Sequence, residues 1–331
     1  MTTNRRIVLA SRPQGVASAA NFRLEEVPVP SLAPGQMLVR NHWLSLDPYM
    51  RGRMNEGRSY AASQALDDVM VGGTAGEVVE SHNPAFAAGD QVVAYLGWQE
   101  YGVSDGTGVY KVDTRHVPLS AYLGPVGMPG VTAWYGLNKI IEPMQGETVV
   151  VSAASGAVGS VVGQLARLGG CRAIGIAGGA EKCRYVAQEL QFDACIDYKS
   201  EDVGKRLKEV APDGVDGYFE NVGGEIMEAV LPRMNAFGRI ALCGLIAGYD
   251  GNPIPIRNPT WFLISRLLMK GFIVTEHMDV WPAALKELGG HVATGRIKYR
   301  ESVAHGLDNA PQAFLGMLKG ANFGKQLVKL T

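Results

Sequence analysis

The run from Thr148 to Gly159, TVVVSAASGAVG, has the residue types and spacing to do chemistry. A β-branched apolar segment, Val149 to Val151, stops abruptly at small residues. Ala154, Gly156 and Gly159 then stand in the spacing of G-x-G-x-x-G, with alanine in place of the first glycine, and the helix-like GSVVGQLARLG follows. Strand, tight turn and helix in this order form a cradle for a dinucleotide pyrophosphate. A turn without side chains lets the backbone approach the phosphates, and a helix start offers unpaired N–H groups and the positive end of its dipole. A site that binds the unphosphorylated ribose usually carries Asp or Glu about 20 residues beyond the glycines. Here that region reads IAGGAEKC from Ile176 to Cys183. No carboxylate ends the strand, Gly178 and Gly179 leave room, and Lys182 stands on the first turn of the next helix. The neighbouring Glu181 points to another helix face. The combination favours a 2′-phosphate, and so NADPH over NADH.

The flanking pattern supplies the elements that must position this turn. From about residue 124, strand candidates at 149–153, 173–177, 194–197, 217–220, 239–244 and 272–275 alternate with helical segments at 156–168, 181–190, 203–210 and 225–234. Alternation of this kind predicts a doubly wound parallel sheet. Residues 1 to about 120 read differently. Short β-prone runs at 6–10, 36–40, 76–80 and 90–94, separated by Pro, Gly, Asn and Asp, lie too close together for helical crossovers. They predict an antiparallel barrel or sandwich. The last segment carries a helix at 310–318 and a short strand at 325–329, and is expected to return to the first domain.

With 331 residues the chain has room for two domains of ordinary size. A net charge of −1 gives no basic surface for nucleic acid and no acidic tail. Cys171, Cys183, Cys195 and Cys243 lack C-x-x-C spacing and read as reduced thiols in a reducing compartment. Only four apolar residues follow Arg5-Arg6, too few for a secretory h-region, and no run approaches the roughly 20 apolar residues of a membrane span. A cytoplasmic location is the expectation.

Several stretches in order resemble one family along nearly the whole length: LDPYMR from Leu46, GMPGVTA from Gly127, AASGAVGSVVGQ from Ala153, YFENVGGE from Tyr218, FGRIALCG from Phe237 and GMLKGANFGK from Gly316. The chain resembles the zinc-independent medium-chain dehydrogenases/reductases, in the group of prostaglandin reductase (leukotriene B4 12-hydroxydehydrogenase) and NADPH-dependent curcumin and alkenal reductases. The resemblance implies an α/β fold with a GroES-like β-rich substrate domain at 1–125, a Rossmann NADP-binding domain at 126–297 and a C-terminal return at 298–331. It further implies that Gly156, Ala157, Val158 and Gly159 hold the pyrophosphate, and that Lys182 and Tyr198 bind the adenosine phosphate. Asn221, the segment from Cys243 through Gly244 and Leu245 to Tyr249, the run Phe272, Ile273 and Val274, and Asn322 would line the nicotinamide half. Homodimers are implied as well, and 261–274 is an apolar stretch suited to a sheet-edge contact.

The zinc alcohol dehydrogenases of the superfamily offer a contrast. Their Gly-His-Glu would fall at Gly72-Gly73-Thr74, their catalytic cysteine between Leu44 and Asp47, and their four-cysteine lobe near 95–115. None of these positions carries the ligands. Histidines 42, 82, 116, 277, 291 and 305 show no ligand spacing either. No metal is expected. Hydride delivery to the β-carbon of an α,β-unsaturated ketone or aldehyde suits such a site, since the charge moves to the carbonyl oxygen as an enolate. A hydrogen-bond donor must meet that oxygen. Tyr249, in a glycine-flanked loop after a strand, is the candidate, together with the cofactor ribose hydroxyl. Tyr49, after Asp47-Pro48, is a candidate for the substrate wall, and Tyr60, Tyr95 and Trp98 could extend it. Two alternatives stay open: a zinc-independent NADPH quinone reductase, and an NADPH-binding regulatory protein without turnover.

Overall fold

The short β-prone runs of the first 120 residues become strands, and those at 36–40, 76–80 and 90–94 share one sheet. A computed structural model describes residues 3–330, which divide into two units, 3–123 with 301–330, and 124–300. In the first, β1 (Thr3–Leu9) and β2 (Phe22–Pro28) form an antiparallel pair. The longest strand, β3 (Met37–Ser45), pairs with β4 (Thr74–Ser81) and with β6 (Tyr101–Ser104); β5 (Gln91–Ala94) and β7 (Tyr110–Lys111) continue the sheet beyond β4. A five-residue helix, α1 (Tyr49–Arg53), follows β3.

The second unit opens with α2 (Met128–Gly136) and then alternates strand and helix. Its strands are β8 (Thr148–Ser152), β9 (Arg172–Ala177), β10 (Ala194–Asp197), β11 (Val215–Glu220), β12 (Met234–Leu242) and β13 (Leu268–Gly271). Between them run α3 (Gly159–Leu168), α4 (Ala180–Arg184), α5 (Val203–Val210), α6 (Gly224–Val230) and α7 (Thr260–Ile264), and α8 (Trp281–Ala293) comes last. The strand order is β10-β9-β8-β11-β12-β13, all parallel. Helices on the faces of such a sheet bury both sides of its strands, which explains the unbroken Val149–Val151 run at zero exposure. The order reverses between β8 and β11, and ligands of doubly wound sheets bind outside the carboxyl ends of the strands at that reversal. Gly163 is the residue of α3 on which the ring of Phe192 rests; a Cβ there would lie 1.9 Å from the ring.

Several expected boundaries move. The last parallel strand lies at Leu268–Gly271 and not at 272–275, because the Phe272 ring leaves the sheet edge to pack against Tyr135 and Phe219, with centroids 5.4 and 6.3 Å away. The helix expected at 181–190 is α4 followed by a π-helical turn, Tyr185–Glu189. That expected at 225–234 gives way after Val230 to a tight turn holding Pro232, and Met234 already belongs to β12. Among the described residues no helix is long and apolar enough to cross a membrane.

The C-terminal segment rejoins the first unit through β14 (Glu301–His305), α9 (Ala310–Leu318) and β15 (Lys325–Lys329), which pairs antiparallel with β3. Phe314 of α9 meets Trp98 edge-on at 5.6 Å, and Trp98 stacks on Phe22 at 5.4 Å. Trp98 is wholly buried in this core, so it is no part of an aromatic substrate wall. Lys325 and Asp47, both nearly inaccessible, form an ion pair at 2.9 Å. The ammonium also donates to the carbonyls of Leu46 and Gln326, and Ser45 donates to the carboxylate. Burial pulls the Lys325 pKa down, and Asp47 opposes it. Removing one partner of such a pair leaves a buried charge unmatched and costs about 3–5 kcal/mol. Lys325→Met should therefore lower the urea midpoint far more than Lys111→Met, which breaks an exposed pair with Asp90 worth about 1 kcal/mol or less. Equal shifts would contradict this reading of the first unit.

Candidate active site

The phosphate turn is built by a close approach that side chains would prevent. Ala153, just past β8, has φ +49°, a left-handed conformation costly for a residue with a Cβ. Its carbonyl accepts from the Gly156 amide at 2.9 Å. A Cβ on Gly159 would lie 2.5 Å from that same oxygen, so α3 can start here only with glycine. The helix therefore begins three residues later than the expected Gly156. Val158 precedes it and provides no side-chain cap. The turn's bonds run from Gly156 to Ala153 and from Ser160 to Gly156, and none of them uses the amides of Ala157, Val158 or Gly159. An uncapped start of a ten-residue helix, with three amides offered together, fits an anion such as a pyrophosphate.

A second anion-friendly corner lies at the ends of β9 and β10. Gly179 has φ +103°, and a Cβ on Gly178 would lie 2.8 Å from the Tyr198 hydroxyl, so that phenol rests on Gly178. Lys182 is half-buried on α4. Burial, and then the Lys199 ammonium, pull its pKa below the ordinary lysine value, with Glu181 acting in the opposite direction. A bound dianion would offset both effects. One carboxylate is close by in the chain, and sequence reasoning missed it. Asp197, 8% exposed, accepts from the amides of Gly179 and Lys199 at 2.7 and 3.0 Å and from the Ser200 hydroxyl at 2.9 Å. Burial raises its pKa, but these hydrogen bonds outweigh it and leave the carboxyl below its ordinary value. Asp197 thus shapes the Gly178–Gly179 turn and spends its oxygens there. An Asp followed three residues later by Ser is the local signal that could have revealed this turn.

The ends of β8, β11 and β12 are held together by a buried polar cluster. Glu220, at zero exposure, accepts from the Ser152 hydroxyl at 2.7 Å, from the Tyr218 hydroxyl and from the Val222 amide. Asn221 donates its backbone amide to Ser152 Oγ at 2.7 Å and its side-chain amide to the Ser152 carbonyl at 2.8 Å. The amides of Cys243 and Gly244 both donate to the Glu220 carbonyl. Ser152, Tyr218 and Glu220 were not singled out in the sequence, since each reads as an ordinary strand residue. Burial pushes the Cys243 thiol up to about 12, so it stays protonated. Tyr249 closes a short helical turn, Ile246–Gly248, and its ring folds back. From the place a Gly244 Cβ would take, the Tyr249 hydroxyl is 3.5 Å away and the Asn221 carbonyl 3.4 Å. The structure thus brings Asn221, Gly244 and Tyr249 together at the reversal point, next to Ser152 at the end of β8.

Other expected site residues are spent on packing or lie elsewhere. The side chains of Phe272 and Val274 are buried in the second unit's core, and Trp281 donates to the Val274 carbonyl at 3.1 Å. Ile273 between them is half-buried, and only backbone from this run can serve a ligand through Phe272 and Val274. Tyr49 and Asn322 belong to the first unit. Asn322 donates its side-chain amide to the Gly324 carbonyl at 2.8 Å. Tyr49 is half-buried at the start of α1; burial, and then the Asp47 carboxylate, hold its phenol well above the ordinary value, with Tyr95 and Tyr60 adding to the effect. The three tyrosines share one neighbourhood, in which Tyr60 and Tyr95 are exposed. Among the described residues no three of His, Cys, Asp or Glu gather as a metal-ligating group.

Comparison with known proteins identifies the family. Residues 5–112 match the family described as N-terminal domain of oxidoreductase, and 157–289 the family described as zinc-binding dehydrogenase. The chain is 46% identical to the NADPH-dependent curcumin reductase of Escherichia coli (strain K12) over 99% of its own length and 97% of the relative's. It is 39% identical to the 2-alkenal reductase (NADP(+)-dependent) of Nicotiana tabacum over 99% and 98% of the two chains. The crystal structure of CurA in complex with NADPH from Vibrio vulnificus superposes with a TM-score of 0.94, at 46% identity, over 99% of each chain. By fold, by strand order and by sequence along its whole length, the chain belongs to the zinc-independent group of the medium-chain dehydrogenase/reductase family that contains the curcumin, alkenal and prostaglandin reductases.

Proposed function

We propose that this chain uses NADPH to reduce the carbon–carbon double bond of α,β-unsaturated ketones and aldehydes. The observation that carries this reading is the hydroxyl of Tyr249 lying over side-chain-free Gly244 at the sheet's reversal point. A phenol hydroxyl there is a donor suited to an enolate oxygen. The names of the relatives, a curcumin reductase and a 2-alkenal reductase, support the substrate class.

The amides of Ala157, Val158 and Gly159 would hold the pyrophosphate in the space left by Gly156 and Gly159. Lys182 and Tyr198 would bind the 2′-phosphate, while Asp197 keeps the Gly178–Gly179 turn open. Asn221, Cys243, Gly244 and Leu245, with the backbone of Phe272, Ile273 and Val274, would take the nicotinamide half. Bound NADPH supplies the hydride. Tyr249 then meets the negative charge that develops on the carbonyl oxygen, and a proton joins the α-carbon as that charge collapses. Tyr49 supplies an aromatic face to the substrate, extended by Tyr60 and Tyr95. A homodimer is part of the proposal. The edge strand β13 pairs only with β12 among the described strands, and Leu263, Ile264 and Leu268 beside it are more than half exposed.

Mixing the protein with NADPH and a panel of enones, enals and quinones tests the reading directly. Loss of NADPH absorbance with enones or enals is expected, whereas turnover of quinones alone would move the chain to the other reading. Lys182→Ala should raise KM for NADPH about 10- to 100-fold, the worth of one charged hydrogen bond, and leave KM for NADH nearly unchanged. Equal effects on both cofactors would remove the 2′-phosphate role. Tyr249→Phe should lower kcat by about a hundredfold with little change in KM for NADPH, as loss of an oxyanion donor does; an unchanged kcat would rule the phenol out. Sedimentation should give a species of twice the 35.4 kDa chain mass, and a monomer alone would refute the dimer.

A further inference from the structure

Two cysteines that lack any recognisable spacing meet in the fold. Cys183 on α4 and Cys195 on the edge strand β10 are free, half-buried thiols with their sulfur atoms 2.9 Å apart. A disulfide bond measures about 2.05 Å, so the pair stands less than about one ångström from bonding distance. The other two cysteines lack such a partner among the described residues. Cys171 is buried and donates to the Met144 carbonyl at 3.4 Å, and burial pushes Cys243 up to about 12. Donation from Cys195 lowers the Cys183 pKa and stabilises its thiolate, while the same contact and burial raise Cys195. Cys183 is therefore the attacking sulfur and Cys195 the resolving one.

We propose that Cys183 and Cys195 are a modification site: a dithiol that peroxides convert to a reversible disulfide, and whose closure weakens NADPH binding. The Cys183 thiolate attacks one oxygen of hydrogen peroxide and the O–O bond breaks; the departing hydroxide takes up the proton that Cys183 lost on ionising and leaves as water, with Cys183 as a sulfenic acid. The Cys195 sulfur then attacks that sulfur and gives its proton to the departing hydroxide. An S–S bond forms, an S–O bond breaks, and a second water leaves. Two thiols are oxidised by two electrons, and the peroxide is reduced to two waters. The location links the bond to the cofactor. Lys182 directly precedes Cys183, and Asp197 and Tyr198, which shape the Gly178–Gly179 turn, directly follow the Cys195-Ile196 step. Drawing α4 onto β10 shifts Lys182 against Tyr198. This effect rests on the 2′-phosphate assignment made above, whereas the disulfide itself does not.

The test treats the full chain with hydrogen peroxide, alkylates the remaining thiols and maps the peptides by mass spectrometry, with and without dithiothreitol. Dissociation constants for NADPH and NADH are measured by calorimetry before and after, which needs no turnover. We expect a Cys183–Cys195 cross-link that dithiothreitol reverses and that Cys195→Ser abolishes. The Kd for NADPH should rise about fivefold or more on oxidation, with that for NADH unchanged. Bound NADPH should slow the oxidation, because the coupling is reciprocal. Free thiols after treatment, or sulfinic acid at Cys183 without a cross-link, would overturn the site. A cross-link that leaves both dissociation constants unchanged would overturn its coupling to the cofactor.

Discussion

The contact on which the second unit depends is the approach of Gly159 to the Ala153 carbonyl. A Cβ at Gly159 would lie 2.5 Å from that oxygen. The helix can therefore start this close to the end of β8 only without a side chain, and Ala153 accepts a left-handed conformation to turn the chain there. The start of α3 is then left uncapped and its amides are offered together. Strain at one alanine and absence of a side chain at one glycine thus produce an anion cradle. The buried Glu220 cluster ties the same place to the next strands: Ser152 bonds both Glu220 and Asn221, and Glu220 holds the backbone that leads to Gly244. Through it the end of β8, Asn221 and the backbone at Gly244 are joined by one hydrogen-bonded cluster.

Polar groups at these strand ends fall into two kinds. Asp197, Glu220 and the side chain of Asn221 spend their hydrogen bonds on the protein and hold its turns. The amides of Ala157, Val158 and Gly159 take no part in the bonds of their own turn, beside Gly156. The cost of burying the first kind is offset locally by hydrogen bonding, and the second kind is what the proposed pyrophosphate site uses.

What the sequence disclosed follows from range. The Val149–Val151 run, the Gly156 and Gly159 spacing and the missing acid at Gly178–Gly179 are local signals, and the helix at 203–210 and the strand at 194–197 appear in the structure with the expected bounds. Features that need residues distant in sequence stayed hidden. Trp98 reads as a site aromatic until Phe314, more than two hundred residues on, is seen against it. Cys183 and Cys195 have no motif because a helix and a strand bring them together. Asp197 lies well past the position where an acid is sought, and Phe272 reads as strand until Tyr135 and Phe219 claim its ring. The domain that each residue belongs to is equally a long-range property, since β15 is the neighbour of β3.

The central claim is that hydride goes to the β-carbon and not to the carbonyl carbon. Reducing an enone with NADPH carrying deuterium at the transferred position, then locating the label in the product by NMR, tests it most directly. The account predicts a saturated ketone or aldehyde with one deuterium, all of it on the β-carbon. Deuterium on the carbinol carbon of an allylic alcohol would contradict it.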